Sequence, residues 1–238
     1  MADSPGCVKA AVVQAAPILF DREATVKKAC QLTLDAAAKG AELVLLPEAF
    51  IPAYPRGLGF GTVVGSRSSE GRRTWERYWA NSVEVPSLAT EALGAAARQA
   101  GVFLVVGITE RESQASRGTL YCSLLYFGPD GRLLGVHRKL KPTGSERLIW
   151  GEGDGSTLKV YETTVGRIGG LICWENYMPL ARMALYSQGV EVYLAPTADS
   201  RDTWQATLRH IACEGRCFVL GCYQYVTKDL YPPDLECL

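Results

Sequence analysis

Histidine is scarce in this chain, with two in 238 residues. A papain-like Cys–His pair therefore has thin material, since only His137 and His210 are available to serve as its base. Net charge is missing too: 25 basic residues balance 25 acidic ones. That removes the electrostatic footprint of a nucleic-acid binder and leaves self-association unopposed. Long apolar runs are absent. A stretch such as Val102 to Val106 is strand-sized, far below the roughly 20 residues that span a bilayer, so no membrane partner is expected. The opening Met-Ala-Asp-Ser-Pro-Gly is polar, without an apolar segment of signal-peptide type, which makes a cytoplasmic location the expectation. Eight cysteines are present (7, 30, 122, 173, 213, 217, 222 and 237), but none forms a Cys-x-x-Cys pair. Cys213 and Cys217 have only His210 nearby, so no zinc site is expected. Thiols dispersed through a chain of core-forming size read as reduced and mostly buried. The stretch Gly151 to Gly155 lacks a Gly-Lys-Ser/Thr ending and reads as a turn rather than a phosphate loop.

What remains is an ordinary globular composition, 47% apolar and 21% charged, suited to a single domain over residues 1–238. The pattern alternates. It predicts strands over 8–14 and 42–46 around a helix over 22–39, the helix closed by Gly40. A Gly-, Pro- and Arg-rich loop is predicted over 51–73, long enough to suggest function. A helix follows from Pro86-Ser87 to Gln99, then a strand over 102–107. A hairpin pairs 119–127 with 133–139 across Gly128-Pro-Asp-Gly131, and a second pairs 158–162 with 167–172. Helix 179–188, strand 190–195, helix 202–214 and strand 217–226 complete the series. Strands alternating with helices, mixed with hairpins, predict mixed β-sheet covered by helices. The pattern alone leaves open whether there is one sheet or two.

Cys173 is the nucleophile candidate. It ends the apolar strand Ile168-Gly-Gly-Leu-Ile-Cys173, and Trp174-Glu-Asn176 and Pro179 follow at the start of a helix. A strand-to-helix corner exposes a side chain and points free backbone N–H groups at whatever it attacks. A strand cysteine is otherwise most often a core thiol. A thiol with pKa near 8.5 also needs a base. Glu48 is the candidate, because Leu43-Val-Leu-Leu-Pro47 delivers it to a strand's C-terminal end, where α/β clefts form. Its alternative is a solvated loop carboxylate. Lys139 lies in His137-Arg-Lys-Leu-Lys-Pro-Thr143, on the same strand face as His137. A basic cluster at a strand end is usually solvated, yet a lysine beside a thiol and a carboxylate would stabilise both thiolate and substrate anion.

These residues carry a resemblance. Three segments resemble the nitrilase branch of the carbon–nitrogen hydrolase superfamily, in the family's order: Leu46-Pro-Glu48-Ala-Phe-Ile-Pro-Ala-Tyr54-Pro-Arg56-Gly, His137-Arg-Lys139-Leu-Lys-Pro-Thr143 and Ile172-Cys173-Trp-Glu-Asn-Tyr-Met-Pro179. A fourth, Glu146-Arg-Leu-Ile-Trp150-Gly-Glu-Gly-Asp154-Gly, is similar as well. The likeness runs from about Val8 to the end of the chain. It implies a four-layer αββα sandwich and hydrolysis of a small-molecule nitrile to the carboxylic acid and ammonia, without metal or organic cofactor. It also implies Cys173 as nucleophile, Glu48 as general base and Lys139 as charge stabiliser. Glu146 looks like the family's second glutamate, which positions the lysine and the substrate. Tyr54 and Trp174 are candidates for the substrate pocket, or packing aromatics. Homo-oligomers are implied, as dimers or larger, spirals included, with helix 202–214 a candidate interface.

Members of that branch usually run longer than this chain. The comparison predicts that C-terminal sheet strands are missing and that the apolar strand 217–226 has an open edge. Two other functions stay open: an amidase or carbamoylase using the same residues, and an inactive assembly protein.

Overall fold

A computed structural model describes residues 6–233 and 235. In chain order its first elements are β1 (Ala10–Val12), α1 (Arg22–Ala38), β2 (Leu43–Leu45), β3 (Thr62–Val63), β4 (Ser66–Arg67), α2 (Ser69–Asn81) and α3 (Leu88–Ala100). Then come β5 (Phe103–Arg111), β6 (Leu120–Phe127), β7 (Leu133–Arg138), β8 (Tyr161–Thr163) and β9 (Gly166–Gly170). The series ends with α4 (Pro179–Tyr186), β10 (Val192–Thr197), α5 (Asp202–Gly215) and β11 (Phe218–Tyr223).

The strands form two main sheets. One has the order β1-β2-β5-β6-β7, the other β11-β10-β9-β8, and β3 pairs with β4 in a small hairpin. Pairs joined through helices (β1–β2, β2–β5, β9–β10, β10–β11) are parallel, and those joined by short turns (β5–β6, β6–β7, β8–β9) are antiparallel.

Alternation along the strands decides the layering, because successive side chains leave a strand on opposite faces. Leu43, Leu45, Phe103, Val105, Cys122 and Leu124 pack with Ile168, Leu194 and Cys222 of the other sheet. Their neighbours Val44, Leu46, Leu104, Val106 and Leu125 pack instead with Val26 and Ala29 of α1 and Leu93 and Ala97 of α3. The second sheet turns Tyr193 and Ala195 outward onto Ala181 and Leu185 of α4 and Trp204 and Ile211 of α5. Each sheet is thus covered on both faces, and the architecture is the αββα sandwich. The helices fit by capping and by stripe. In α1 the Asp21 side chain accepts the Ala24 N–H at 2.9 Å, and Thr25, Ala29, Thr33 and Ala36 lie along one buried face.

The expected elements are present with shifted ends, the largest difference lying in 51–73. That stretch is not a structureless loop: it holds the β3–β4 hairpin and the start of α2. Ser68 caps α2 by accepting the Gly71 N–H at 3.0 Å. Among its side chains only Tyr78 is fully buried, with its hydroxyl 2.6 Å from Thr109 Oγ1. Trp75, Tyr78 and Trp79 nevertheless recur at helical spacing along one face, between exposed Arg and Glu positions. In the second hairpin, pairing starts at Tyr161 rather than Leu158, because Leu158 closes a turn onto the Gly155 carbonyl. At the far side of the second sheet, β11 is an edge strand among the described residues. Its Phe218 is 78% exposed, whereas Cys222 and Gln224 are buried. Among the described residues no helix is long and apolar enough to cross a membrane.

Candidate active site

β2 and Leu46 after it are wholly buried, and the chain then runs through Pro47 to deliver Glu48 with no exposed surface. The chain then bends through Ala49 at φ 44°, a left-handed conformation that costs a non-glycine residue about 1–3 kcal/mol. The bend is held because Phe50 N–H bonds the Gly107 carbonyl at 2.8 Å. Gly107 has to be glycine: a Cβ there would lie 2.2 Å from the Pro47 carbonyl and 2.8 Å from Glu48 Cα. Glu48 Oε1 accepts from Lys139 Nζ at 2.7 Å and faces Cys122 Sγ at 3.7 Å. Its Oε2 accepts the Ala198 N–H at 2.7 Å, and its backbone carbonyl accepts Gln224 Nε2 at 2.7 Å.

Lys139 follows β7 directly and is fully buried. Its backbone N–H bonds the Cys122 carbonyl at 2.8 Å, which aims the side chain between the sheets. The ammonium lies between two carboxylates, Glu48 and, at 2.8 Å, Glu146 Oε2. Glu146 comes from the 3-10 turn Gly144–Leu148, where its Oε2 also accepts the Thr143 N–H at 2.6 Å. Tyr54 donates its hydroxyl to Glu146 Oε1 at 2.6 Å.

Cys173 stands at the corner after β9, opening the 3-10 turn Cys173–Tyr177 that leads into α4. Its φ of 53° is left-handed, and Asn176 Nδ2 pins that corner by donating to the Cys173 carbonyl at 2.7 Å and the Leu171 carbonyl at 3.0 Å. The thiol is buried, takes the Thr197 hydroxyl at 3.1 Å, and lies within electrostatic reach of Glu48 and Lys139. Glu48, Lys139, Glu146 and Cys173, from four separate parts of the chain, thus meet between the sheets.

The carbon–nitrogen hydrolase family model matches residues 9–234. The chain belongs to the carbon–nitrogen hydrolase family. It is 53% identical over 227 residues to an aliphatic nitrilase of Sinorhizobium fredii, covering 95% of this chain and 72% of that protein. A nitrilase of Bradyrhizobium diazoefficiens is 51% identical, with 98% of this chain and 71% of that one covered. A bifunctional nitrilase/nitrile hydratase of Lupinus angustifolius is also 51% identical; this chain spans 96% of itself but 64% of the lupin protein. Solved structures agree on the fold. An amidase of the nitrilase superfamily from Nesterenkonia superposes with a TM-score of 0.70 at 19% identity, covering 91% of this chain and 76% of that one. A branch 10 member of that superfamily from Saccharomyces cerevisiae gives 0.72 at 21%, covering 93% and 77%.

Within this hydrolase the site's electrostatics follow from burial and the neighbouring charges. Burial pushes the Glu48 carboxyl up, the Lys139 ammonium pulls it down, and the Glu146 charge adds to the rise, leaving it above the usual carboxylate range. Burial also opposes the Lys139 charge. Glu48, the two thiols and Glu146 outweigh that, and Lys139 stays an ammonium well above its ordinary value. Burial and the Glu48 charge push the Cys173 thiol up to about 12, against the pull of Lys139, the Thr197 hydroxyl and the Ala198 N–H. The resting hydrolase therefore holds a neutral thiol beside a base whose affinity for protons is raised.

The two aromatic candidates have different surroundings. Tyr54 stands inside the cluster, its ring edge-on to Trp150 at 5.7 Å. Trp174 is 39% exposed, donating its indole N–H to Asp199 Oδ2 at 2.9 Å with the Arg201 guanidinium 4.9 Å over its ring. His137 is engaged with Thr157 and Glu175.

Glu175 is a residue that sequence reasoning passed over. Its buried carboxylate accepts the Ile172 N–H at 2.7 Å, the Leu140 N–H at 2.6 Å and His137 Nε2 at 3.0 Å. It therefore ties the residues flanking Cys173 to those flanking Lys139. A glutamate two places from the nucleophile was the available signal, but nothing local showed which way it turns. Glu175→Gln leaves one acceptor for donors that now use two, so a buried N–H loses its partner at about 2 kcal/mol. Thermal melts should show Tm lowered by about 4–8 °C. An unchanged Tm would mean that Glu175 does not brace the corner.

Proposed function

We propose that this hydrolase is a nitrilase, converting a small nitrile to its carboxylic acid and ammonia through a covalent intermediate on Cys173. The observation that carries the reading is the buried ammonium of Lys139 between two carboxylates, beside a thiol with no histidine base among its contacts. The similarity to nitrilases at about half identity supports the same reading.

The chemistry follows from the geometry. Glu48 takes the thiol proton as sulfur adds to the nitrile carbon, and the nitrogen gains that proton to give a thioimidate. Water, deprotonated by Glu48, adds to the thioimidate carbon and forms a tetrahedral intermediate. Its nitrogen takes up a proton and leaves as ammonia, so a thioester remains. A second water, activated in the same way, releases the carboxylic acid and returns the proton to sulfur. Charge develops on nitrogen in the first addition and on oxygen in the later ones. Lys139 and the backbone N–H of Trp174, at the opening of the 3-10 turn, supply fixed positive ends for it in a buried site. Glu146 holds the ammonium in place, and Tyr54 holds Glu146. Tyr54 and Trp174 are proposed to contact the substrate's organic group.

The proposal is tested by ammonia release from a panel of aliphatic, arylaliphatic and aromatic nitriles and their amides, with Cys173→Ala as control. Acid and ammonia should form from at least one nitrile faster than from the matching amide. Faster release from the amides would make the protein an amidase. No release from either, with no labelling by a thiol-directed electrophile, would favour an assembly role.

Cytoplasmic homo-oligomers are proposed as the working form. The outer surface of α4 supports association, since Leu180 is 86% and Met183 57% exposed beside half-exposed Tyr177. Light scattering that finds only monomer at working concentration would contradict this.

A further inference from the structure

We propose that Thr197 is a further catalytic residue, whose hydroxyl holds a hydrogen bond to the Cys173 sulfur and stabilises the thiolate each time it forms. The inference rests on the reading of Cys173 as nucleophile.

Thr197 is the last residue of β10 and has no exposed surface. β10 lies between β9, which leads to the nucleophile, and β11, and its parallel pairing with β9 carries Thr197 to the level of Cys173. The Thr197 oxygen is 3.1 Å from Cys173 Sγ. Which atom carries the hydrogen follows from an inventory of the hydroxyl. It has one proton and two lone pairs. The Asp199 N–H donates to it at 2.9 Å, which occupies one lone pair and turns the hydroxyl proton away from Asp199. The Glu48 charge acts on the sulfur, so Glu48 is the group placed to take the thiol's own proton. The arrangement is therefore a relay with one direction: the Asp199 N–H to the Thr197 oxygen, and the Thr197 O–H to sulfur.

The bond from Thr197 grows in strength as the proton leaves sulfur. A hydrogen bond to an ionised acceptor is roughly twice as strong as one to a neutral acceptor, so Thr197 favours the thiolate over the thiol. It does so twice per turnover. In the first step the sulfur gains charge as Glu48 removes its proton, and the bond to the nitrile carbon then discharges it. In the last step the carbon–sulfur bond of the tetrahedral thioester adduct breaks, the electron pair returns to sulfur, and Thr197 receives the leaving thiolate. The adjacent peptide reinforces the arrangement, because the Ala198 N–H bonds the Glu48 carboxylate at 2.7 Å. Nucleophile and base are thus aligned from consecutive residues at the end of one strand.

The test compares Thr197→Val, which keeps the branched shape without the hydroxyl, with Thr197→Ser, which keeps the hydroxyl. The first readout is alkylation of the full chain by iodoacetamide between pH 6 and about pH 10, followed by mass spectrometry of the Cys173 peptide. The second is kcat and KM on a nitrile that the wild type hydrolyses. Thr197→Val should alkylate at Cys173 about tenfold more slowly near neutral pH, with the profile displaced upward by about one pH unit. Its kcat should fall by about the same factor with little change in KM, and Thr197→Ser should restore both. If Thr197→Val does not fold, Thr197→Ala against Thr197→Ser gives the same contrast. An alkylation profile in Thr197→Val identical to wild type overturns the proposal, as does a serine variant as impaired as the valine one. Failure of the underlying reading looks different, since Cys173→Ala would then keep its turnover.

Discussion

Replacing Cys173 with alanine is expected to abolish nitrile turnover, by about 10⁴-fold or more, while leaving the fold in place. The sulfur's hydrogen bond in the resting protein is with the Thr197 hydroxyl. The corner that carries it is held by other groups: Asn176 pins its carbonyl and Glu175 the Ile172 N–H. Circular dichroism should therefore match the wild type although no ammonia forms. The same assignment makes a positive prediction. Under a slowly hydrolysed nitrile, mass spectrometry should find an acyl adduct on the Cys173 peptide. Cys122 is the informative competitor, because it is buried within 3.7 Å of Glu48. Burial and the Glu48 charge hold its thiol well above the ordinary value, which keeps it protonated. An adduct on Cys122 or Cys213 would remove Cys173 from the mechanism.

Glu48→Gln is expected to lower kcat by at least about a hundredfold, the contribution typical of a positioned general base. The amide keeps the shape of the carboxylate but accepts no proton. The pH profile should change with it. In the wild type kcat/KM falls as pH drops and Glu48 takes up a proton, and burial moves that fall above the usual carboxylate range. The limb belongs to the coupled set of Glu48, Lys139 and Cys173 rather than to one group. It should be absent from what little activity the glutamine variant retains. Lys139→Arg should fail as well, because a planar guanidinium cannot replace a compact ammonium held between two carboxylates in a fully buried space. Wild-type rates in either variant would show that the base or the cation is misassigned.

Glu48 and Cys173 stood out as candidates because each ends an apolar strand, whereas Lys139 lies in a basic cluster and stood out only with the motif around it. The motif around each then supplied the family. Two sheets rather than one could not be read from pattern, since the inner and outer faces of β2 and β5 are both apolar: Leu43 and Val44 are equally buried but belong to different layers. Helix α2 escaped although Trp75, Tyr78 and Trp79 recur at helical spacing, because the Gly- and Pro-rich stretch leading into it reads as one loop. Glu175 and Thr197 escaped for another reason. Glu175 matters through Leu140 and His137 and Thr197 through the Cys173 sulfur, and partners so far along the chain leave no mark on local spacing.

The two carboxylates around the single ammonium of Lys139 have a consequence for how the reaction ends. Glu48, Glu146, Lys139 and the Cys173 thiol together carry one excess negative charge, and passing the thiol proton to Glu48 leaves that sum unchanged. A neutral nitrile enters without meeting opposition. The acid it becomes is an anion at neutral pH, born beside Glu146 in a medium that screens charge poorly. The same residues that draw the thiol proton away therefore repel the product once it ionises. Turnover ends in electrostatic expulsion, and the finished acid competes weakly with fresh nitrile for the site.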